Sequence, residues 1–318
     1  MKAIIYEKHT HPECLNLREA LKPVAGSGQV LVRMVSTSLN ALDYRSISIG
    51  ALPKSRIFGA AIAGVVEAVG AGTKVFAVGD AVMGDAADCG LGGLAEYVAV
   101  PENILTRKPA SITFEQAAAL PVAATTALQA LRNKGKLSAG QKVLVYGASG
   151  GVGIYAIQMA RLLGAEVTAL CSEKNIAQAQ ALGASYAMDY RTFDFKREVK
   201  RFDLIVAING NQPLRAYLRL LHRGGRLVVV GGALSQIFRA MFFGPLLSIG
   251  SKKVKLLAAK PIPEDLAQVA TWVAEGRITP VIDRRYPLAQ TAEAMRYLEK
   301  EHSPGKVIID VAGEGRNE

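Results

Sequence analysis

The stretch KVLVYGASGGVGIYAIQMARLLG, Lys142 to Gly164, decides the fold. Val143-Leu144-Val145-Tyr146 reads as a short buried strand, and Gly153 to Leu163 carries its apolar residues at helical spacing. Between them lies Gly147-Ala148-Ser149-Gly150-Gly151-Val152-Gly153. Glycines at a strand-to-helix junction allow a tight turn and let the backbone approach a pyrophosphate, whose charge then meets the free N–H groups of the helix N-terminus. A glycine pattern alone is weak; its position between strand and helix gives it meaning. The competing reading is a glycine-rich turn that binds nothing.

Outward from this loop the chain keeps alternating. Strands are predicted at Val143–Tyr146, Glu166–Leu170, Leu204–Ala207 and Arg226–Val230, with helical stretches at 153–163, 176–182 and 212–221. That repetition means βαβ units and a parallel sheet covered on both faces. Upstream, the short β-branched segments 2–6, 29–35 and 62–69 are separated by turn residues such as Gly26-Ser27-Gly28 and Val78-Gly79-Asp80, which reads as a β-rich, barrel-like unit. Near residue 112 the texture changes: Thr113 is placed to cap a helix reaching Leu120, and a second helical stretch runs on to Leu131. The tail has a helix at 264–275, another near 291–299 and a last strand at 306–311, and its texture returns to that of the first part. The expected division is therefore a β-rich unit over 1–122, completed by 261–318, with a parallel βαβ unit at 123–260 between them.

The chain has 318 residues, 50% of them hydrophobic, 20% charged and 31 of them glycine, which suits two folded domains and excludes a disordered or collagen-like chain. Three cysteines, Cys14, Cys89 and Cys171, are too few and too scattered for a disulfide framework. The opening MKAIIYEKHTHPE lacks the apolar core of a signal peptide, so a reducing, cytoplasmic location is expected. The most apolar stretch, Ala233 to Gly250, is interrupted by Gln236, Arg239 and Pro245, and no membrane span is expected. The net charge of +11 is concentrated, since residues 132–260 hold 20 basic against 6 acidic side chains. Such a segment would suit nucleic acid, an anionic membrane or a phosphorylated ligand, and charge alone does not choose among them.

The loop narrows the choice. About 20 residues beyond it, an NAD site carries an acidic residue for the ribose 2′-hydroxyl. Here the strand-end residue is Cys171, followed by Ser172, Glu173 and Lys174. A hydroxyl and a cation favour a 2′-phosphate, hence NADP(H); Glu173 turned inward would admit NAD(H) instead.

Seven ordered blocks make the chain similar, along nearly its whole length, to one family. They are residues 38–44 (SLNALDY), 63–70 (AGVVEAVG), 93–98 (GLAEYV), 119–128 from Ala119-Leu120-Pro121 to Leu128, the glycine loop, Leu182-Gly183-Ala184 with Asp189-Tyr190, and 224–232 between paired glycines. The chain resembles the medium-chain dehydrogenase/reductase superfamily, in its zinc-free quinone oxidoreductase-like branch that includes zeta-crystallin. The resemblance implies a GroES-like β-barrel catalytic domain plus a Rossmann doubly wound domain, an active site between them and a homodimer, for which the edge-like Val254–Leu257 is the candidate strand. It further implies that Gly150, Gly151, Val152 and Gly153 contact the pyrophosphate. Ser172, Lys174 and Tyr190 would lie near the adenosine phosphate, Thr126 beside the nicotinamide, and Asn40 at the nicotinamide end. Tyr190 equally suits an ordinary half-buried aromatic, and Tyr44 either supplies a hydroxyl or packs.

Zinc members of the superfamily need Cys and His ligands around an open position. Their first cysteine would fall near Asn40, and their Gly-His-Glu stretch at Gly59-Ala60-Ala61, where alanines cannot ligate. The histidines His9, His11, His222 and His302 are expected in loops or helix ends and form no ligand pair, so no metal is expected. Where the branch usually has Pro-Gly-x-Asp before the 63–70 strand, this chain has Phe58-Gly59-Ala60-Ala61, so the Asp is replaced by a small apolar residue, which weakens any borrowed substrate assignment. What remains is an NADPH-dependent reductase of a quinone or an α,β-unsaturated carbonyl compound, with Asn40 and Tyr44 as candidate catalytic residues. The alternatives are an NADPH-binding structural, regulatory or RNA-associated protein, and peripheral attachment to an anionic membrane through the apolar 238–243 segment. That segment is better read as a cleft wall or dimer contact, and no nucleic-acid partner is expected.

Overall fold

The computed structural model describes residues 1–6, 15–48, 52–300 and 303–312. His9, His11, Cys14 and His302 lie outside them. The backbone divides into two compact units, one of Met1–Thr125 with Lys260–Glu318 and one of Thr126–Ala259.

The second unit is a six-stranded sheet with every pairing parallel. Its strands are Lys142–Tyr146, Glu166–Cys171, Tyr186–Asp189, Phe202–Ile208, Leu221–Val230 and Lys253–Leu257. Counted along the chain, they lie side by side in the order third, second, first, fourth, fifth, sixth. That is the doubly wound order, and its direction reverses between Lys142–Tyr146 and Phe202–Ile208, where such sheets bind ligands beyond the strand ends. Val143, Leu144 and Val145 are fully buried, as a central parallel strand covered on both faces requires.

Two elements differ from the sequence expectation in extent. The helix expected over 212–221 is Leu214–Arg219, because Leu221 already pairs with Phe202. For the same reason His222, expected in a loop or helix end, is an exposed residue of the strand Leu221–Val230, beside a register shift. A third element, the helix Leu234–Leu247, holds Pro245 in its last turn and turns Phe238 and Phe242 outward. Among the described residues no helix is long and apolar enough to cross a membrane.

The first unit is built around the eleven-residue strand Gln29–Leu39, which pairs with Ala61–Val69, Tyr97–Pro101 and Lys306–Asp310. The last of these runs antiparallel, with Val307 opposite Leu39 and Ile308 opposite Ser38. This register carries Lys306, from the far end of the chain, to the point where Gln29–Leu39 ends and the helix Ala41–Ser48 begins. The expected cap at Thr113 is a full capping box: Thr113 Oγ1 accepts from the Gln116 N–H and Gln116 Oε1 accepts from the Thr113 N–H.

Candidate active site

The glycine loop follows the first strand of the parallel sheet and feeds the helix Gly153–Leu162. Each glycine has its own reason. Gly147 has φ +74°, and a Cβ there would stand 2.4 Å from the Ile208 carbonyl oxygen. A Cβ on Gly153 would lie 2.3 Å from the Gly147 oxygen and 2.5 Å from the Ala148 oxygen, so this glycine seats the helix against the turn. Gly150 is different, because a Cβ there would meet only the Gly147 oxygen at an ordinary 3.6 Å. The N–H groups of Gly151, Val152 and Gly153 find no acceptor among the described residues, and no side chain caps this helix. Free N–H groups at a helix start, beside an open glycine, fit a dinucleotide pyrophosphate.

At the end of the second strand, Ser172 Oγ accepts from Asn175 Nδ2 at 3.0 Å and keeps its own hydrogen to donate. Lys174 and Glu173 are exposed there, and Tyr190 is 41% exposed, tilted against Tyr146 at 6.4 Å. A neighbouring hollow of about 500 Å³ is lined by Glu173, Asp189, Asp194 and Glu198 together with apolar residues such as Ile176 and Met188. Arg191, which the sequence reading did not single out, pairs with Asp189 at 3.2 Å, and Arg197 lies 3.7 Å from Asp194. Thr126 is buried in the helix Ala123–Leu128. Just before this helix, Val122 has φ +65°, a costly conformation for a β-branched residue, and its N–H favours the charged form of the Asp85 carboxyl.

In the first unit the structure gathers a polar cluster that the sequence reading named only through Asn40. Asn40 precedes the helix Ala41–Ser48, and the Asp43 carboxylate reaches back to accept from the Asn40 N–H at 2.8 Å, as the third helical residue of a capping box does. The other Asp43 oxygen accepts from the Gly59 N–H at 3.1 Å. Lys306 Nζ donates to Asn40 Oδ1 at 2.6 Å and to the Leu39 carbonyl at 3.1 Å. Since a lysine only donates, this contact fixes which end of the Asn40 amide is oxygen. Asn40 Nδ2 spends one hydrogen on the Ser38 carbonyl at 3.0 Å, and its second finds no acceptor among the described residues. Tyr44 packs half-buried against the core of this unit, with the Arg45 guanidinium 5.7 Å from its ring.

Burial sets the charges of this cluster. It pushes Asp43 up to about 6 against the pull of the Asn40 and Gly59 N–H groups and the Lys306 charge. Lys306 is pushed down to about 8, with Asp43 and Asp85 opposing the change. Asp85 rises to about 6, first from burial and then from the like charges of Asp88 and Asp43. A carboxyl raised by folding binds a proton in the native state before the unfolded chain does, so its contribution to stability grows as pH falls from about 6 toward its ordinary value of 3.8. Asp85→Asn, neutral at every pH, should therefore stabilise the protein at pH 7 by up to about 3 kcal/mol. In denaturant melts that gain should vanish near pH 4; a gain independent of pH would contradict burial of charge as its cause.

Asp43, Asp85 and Lys306 were missed as functional candidates. An Asn-x-x-Asp spacing was there to read as a helix start, but Lys306 is the first residue of an apolar run, and only the strand pairing reveals its partner. The donor set does not suit zinc: Ala60 and Ala61 are fully buried without ligating atoms, and Asn40 Oδ1 already faces an ammonium. Among the described residues no three His, Cys, Asp or Glu side chains cluster closely enough to hold a metal ion.

Comparison with known proteins agrees with this architecture. Residues 26–110 match the alcohol dehydrogenase GroES-like domain, and residues 182–309 match the domain described as zinc-binding dehydrogenase. The chain is 33% identical over 303 residues to the chloroplast envelope quinone oxidoreductase homolog of Arabidopsis thaliana, covering 91% of each protein. It is 30% identical to the chloroplastic NADPH-dependent alkenal/one oxidoreductase of the same plant, covering 97% of this chain and 79% of that one. The quinone oxidoreductase structure from Coxiella burnetii superposes with a TM-score of 0.89 at 28% identity, over 98% of this chain and 99% of the other. The fold is that of an NAD(P)H-dependent oxidoreductase. The chain belongs to the medium-chain dehydrogenase/reductase superfamily, in its quinone oxidoreductase-like branch.

Proposed function

We propose that this protein is a zinc-independent reductase that uses NADPH to reduce the electron-poor C=C bond of an α,β-unsaturated carbonyl compound, or a quinone. The observation that carries the reading is the Asn40 carboxamide, held at Oδ1 by Lys306 and at one Nδ2 hydrogen by the Ser38 carbonyl, and left with one free Nδ2 hydrogen. Bound NADPH supplies the hydride. As it arrives at the β-carbon or the quinone ring, negative charge collects on the carbonyl oxygen, and the Asn40 Nδ2–H is a preorganised donor for that oxygen. A proton from Tyr44 or water completes the reduction. Simple alcohols are poor substrates for such a site, since among the described residues no metal ligand set takes the hydroxyl proton and both Asp43 oxygens are already engaged by N–H groups. The two plant relatives, named for quinone and alkenal/one chemistry, support the same substrate classes. A panel of quinones, enones and primary alcohols, followed by NADPH consumption or NADP reduction, tests the reading; alcohol oxidation outrunning every enone and quinone overturns it.

Ser172 and Lys174 support NADP(H) over NAD(H), the first with a free hydroxyl hydrogen and the second with an exposed ammonium. Lys174→Glu should weaken NADPH binding by about 1.5–3 kcal/mol, the scale of a charge-assisted hydrogen bond, and spare NADH. Equal losses for both cofactors, measured by titration, would overturn the assignment. A homodimer is part of the proposal, with the edge strand Lys253–Leu257 as its contact. A cytoplasmic location goes with it, supported by the unpaired Cys89 and Cys171. The RNA-associated alternative loses support, because Phe195 and Phe202, which lie among the basic residues Arg191, Lys196, Arg197, Lys200 and Arg201, are buried in the core and cannot offer a stacking platform.

A further inference from the structure

We propose that Lys306 is a positioning residue for the reaction: its ammonium, buried beside Leu39 and Asn40, holds the Asn40 carboxamide in one orientation and strengthens its free Nδ2–H as a donor. The inference rests on reading Asn40 as the oxyanion donor. Three observations carry it. First, the 2.6 Å bond from Nζ to Asn40 Oδ1 is charge-assisted, and the 3.1 Å bond to the Leu39 carbonyl fixes the ammonium against the strand that leads to Asn40. Second, Lys306 is only 3% exposed, and burying an ammonium is costly where an apolar side chain would continue the run of Val307, Ile308 and Ile309 without penalty. Third, the charges facing Lys306 are the carboxylates Asp43 and Asp85, from the helix Ala41–Ser48 and the strand Ala81–Asp85; neither lies within ion-pair distance of it, so the short contact of the ammonium is with the amide.

The chemistry follows from amide resonance. A cation on the carbonyl oxygen draws electron density away from nitrogen, which leaves each Nδ2–H more positive and a better donor to a developing anion. With the Ser38 carbonyl taking one hydrogen, the other has a single direction. Without Lys306 only the Ser38 carbonyl opposes a flip of the amide, which would present its oxygen, an acceptor, in place of the donor.

The test is a cycle of Lys306→Met, Asn40→Ala and the double variant, assayed with an enone and NADPH. Lys306→Met should lower kcat about ten- to a hundredfold while leaving the NADPH dissociation constant within about twofold, and the double variant should be no slower than Asn40→Ala. Independent, multiplying losses would overturn the proposal, since Lys306 would then act elsewhere than through Asn40. Lys306→Arg, which keeps a cation and donor, should recover part of the rate. A readout on the wild-type protein covers the case in which Lys306→Met does not fold: the Asn40 side-chain 15N resonance should move as Lys306 loses its proton, with a midpoint near 8. A resonance unmoved between about pH 6.5 and 9.5 would contradict the contact itself. If Asn40→Ala retained full turnover while that resonance did titrate, the donor reading would fail and the Lys306 contact would stand.

Discussion

Asn40→Ala is expected to lower NADPH-dependent turnover of enones and quinones by about ten- to a thousandfold, the scale of losing one preorganised oxyanion donor. Preorganisation sets the size of this loss. The Asn40 backbone N–H is tied to Asp43, its Oδ1 to Lys306 and one Nδ2 hydrogen to Ser38, so the remaining hydrogen needs no reorientation when charge appears. The loss should fall on kcat, with NADPH affinity nearly unchanged, because the proposed pyrophosphate contacts lie in the glycine loop and not at Asn40. Tyr44→Phe should slow an enone more than a quinone, since a quinolate is the more stable anion and can wait for a proton from water. Rates within twofold of wild type for Asn40→Ala would remove Asn40 from the mechanism.

The second large effect separates two glycines three residues apart. Gly150→Ala should leave the melting temperature nearly unchanged, because the added methyl stands 3.6 Å from its nearest neighbour. It should nonetheless weaken NADPH binding by about tenfold to several hundredfold, since the methyl occupies the approach to the loop and costs contacts to a charged pyrophosphate. Gly153→Ala should do the reverse first: at 2.3 Å from the Gly147 oxygen the methyl forces the helix off the turn, destabilising the fold by about 1–3 kcal/mol. Thermal melts read beside NADPH titrations distinguish the two. A Gly150→Ala protein that binds NADPH like wild type would mean that the loop does not hold the cofactor.

The parallel sheet was legible because buried strands announce themselves as short apolar runs, and Val143 to Tyr146 with its glycine turn set the frame for the rest. The strand Tyr186–Asp189 was not, since its side chains are mostly half-buried and show no alternation. The helix Leu234–Leu247 was hidden by Gly244 and Pro245 near its end and by an apolar face turned outward, which reads as a broken apolar stretch. At the site, sequence reasoning reached Asn40 through family resemblance and the loop glycines through their spacing. It did not reach Lys306, which lies 266 residues from Asn40 and meets it only through the register that sets Val307 opposite Leu39. Nor did it weigh Asp43 and Asp85, whose importance comes from burial, a property of the folded chain.

The most direct test of the account is to run the reduction of an α,β-unsaturated ketone with NADPH deuterated at nicotinamide C4 on each face in turn, in metal-free buffer with chelator, and to locate the label by NMR. The account predicts that one of the two labelled cofactors places deuterium on the β-carbon of the saturated ketone, that the α-position takes its proton from solvent, and that the rate is the same with and without chelator. Deuterium on the carbonyl carbon of an allylic alcohol, or turnover that stops with the chelator and returns with added zinc, would contradict it.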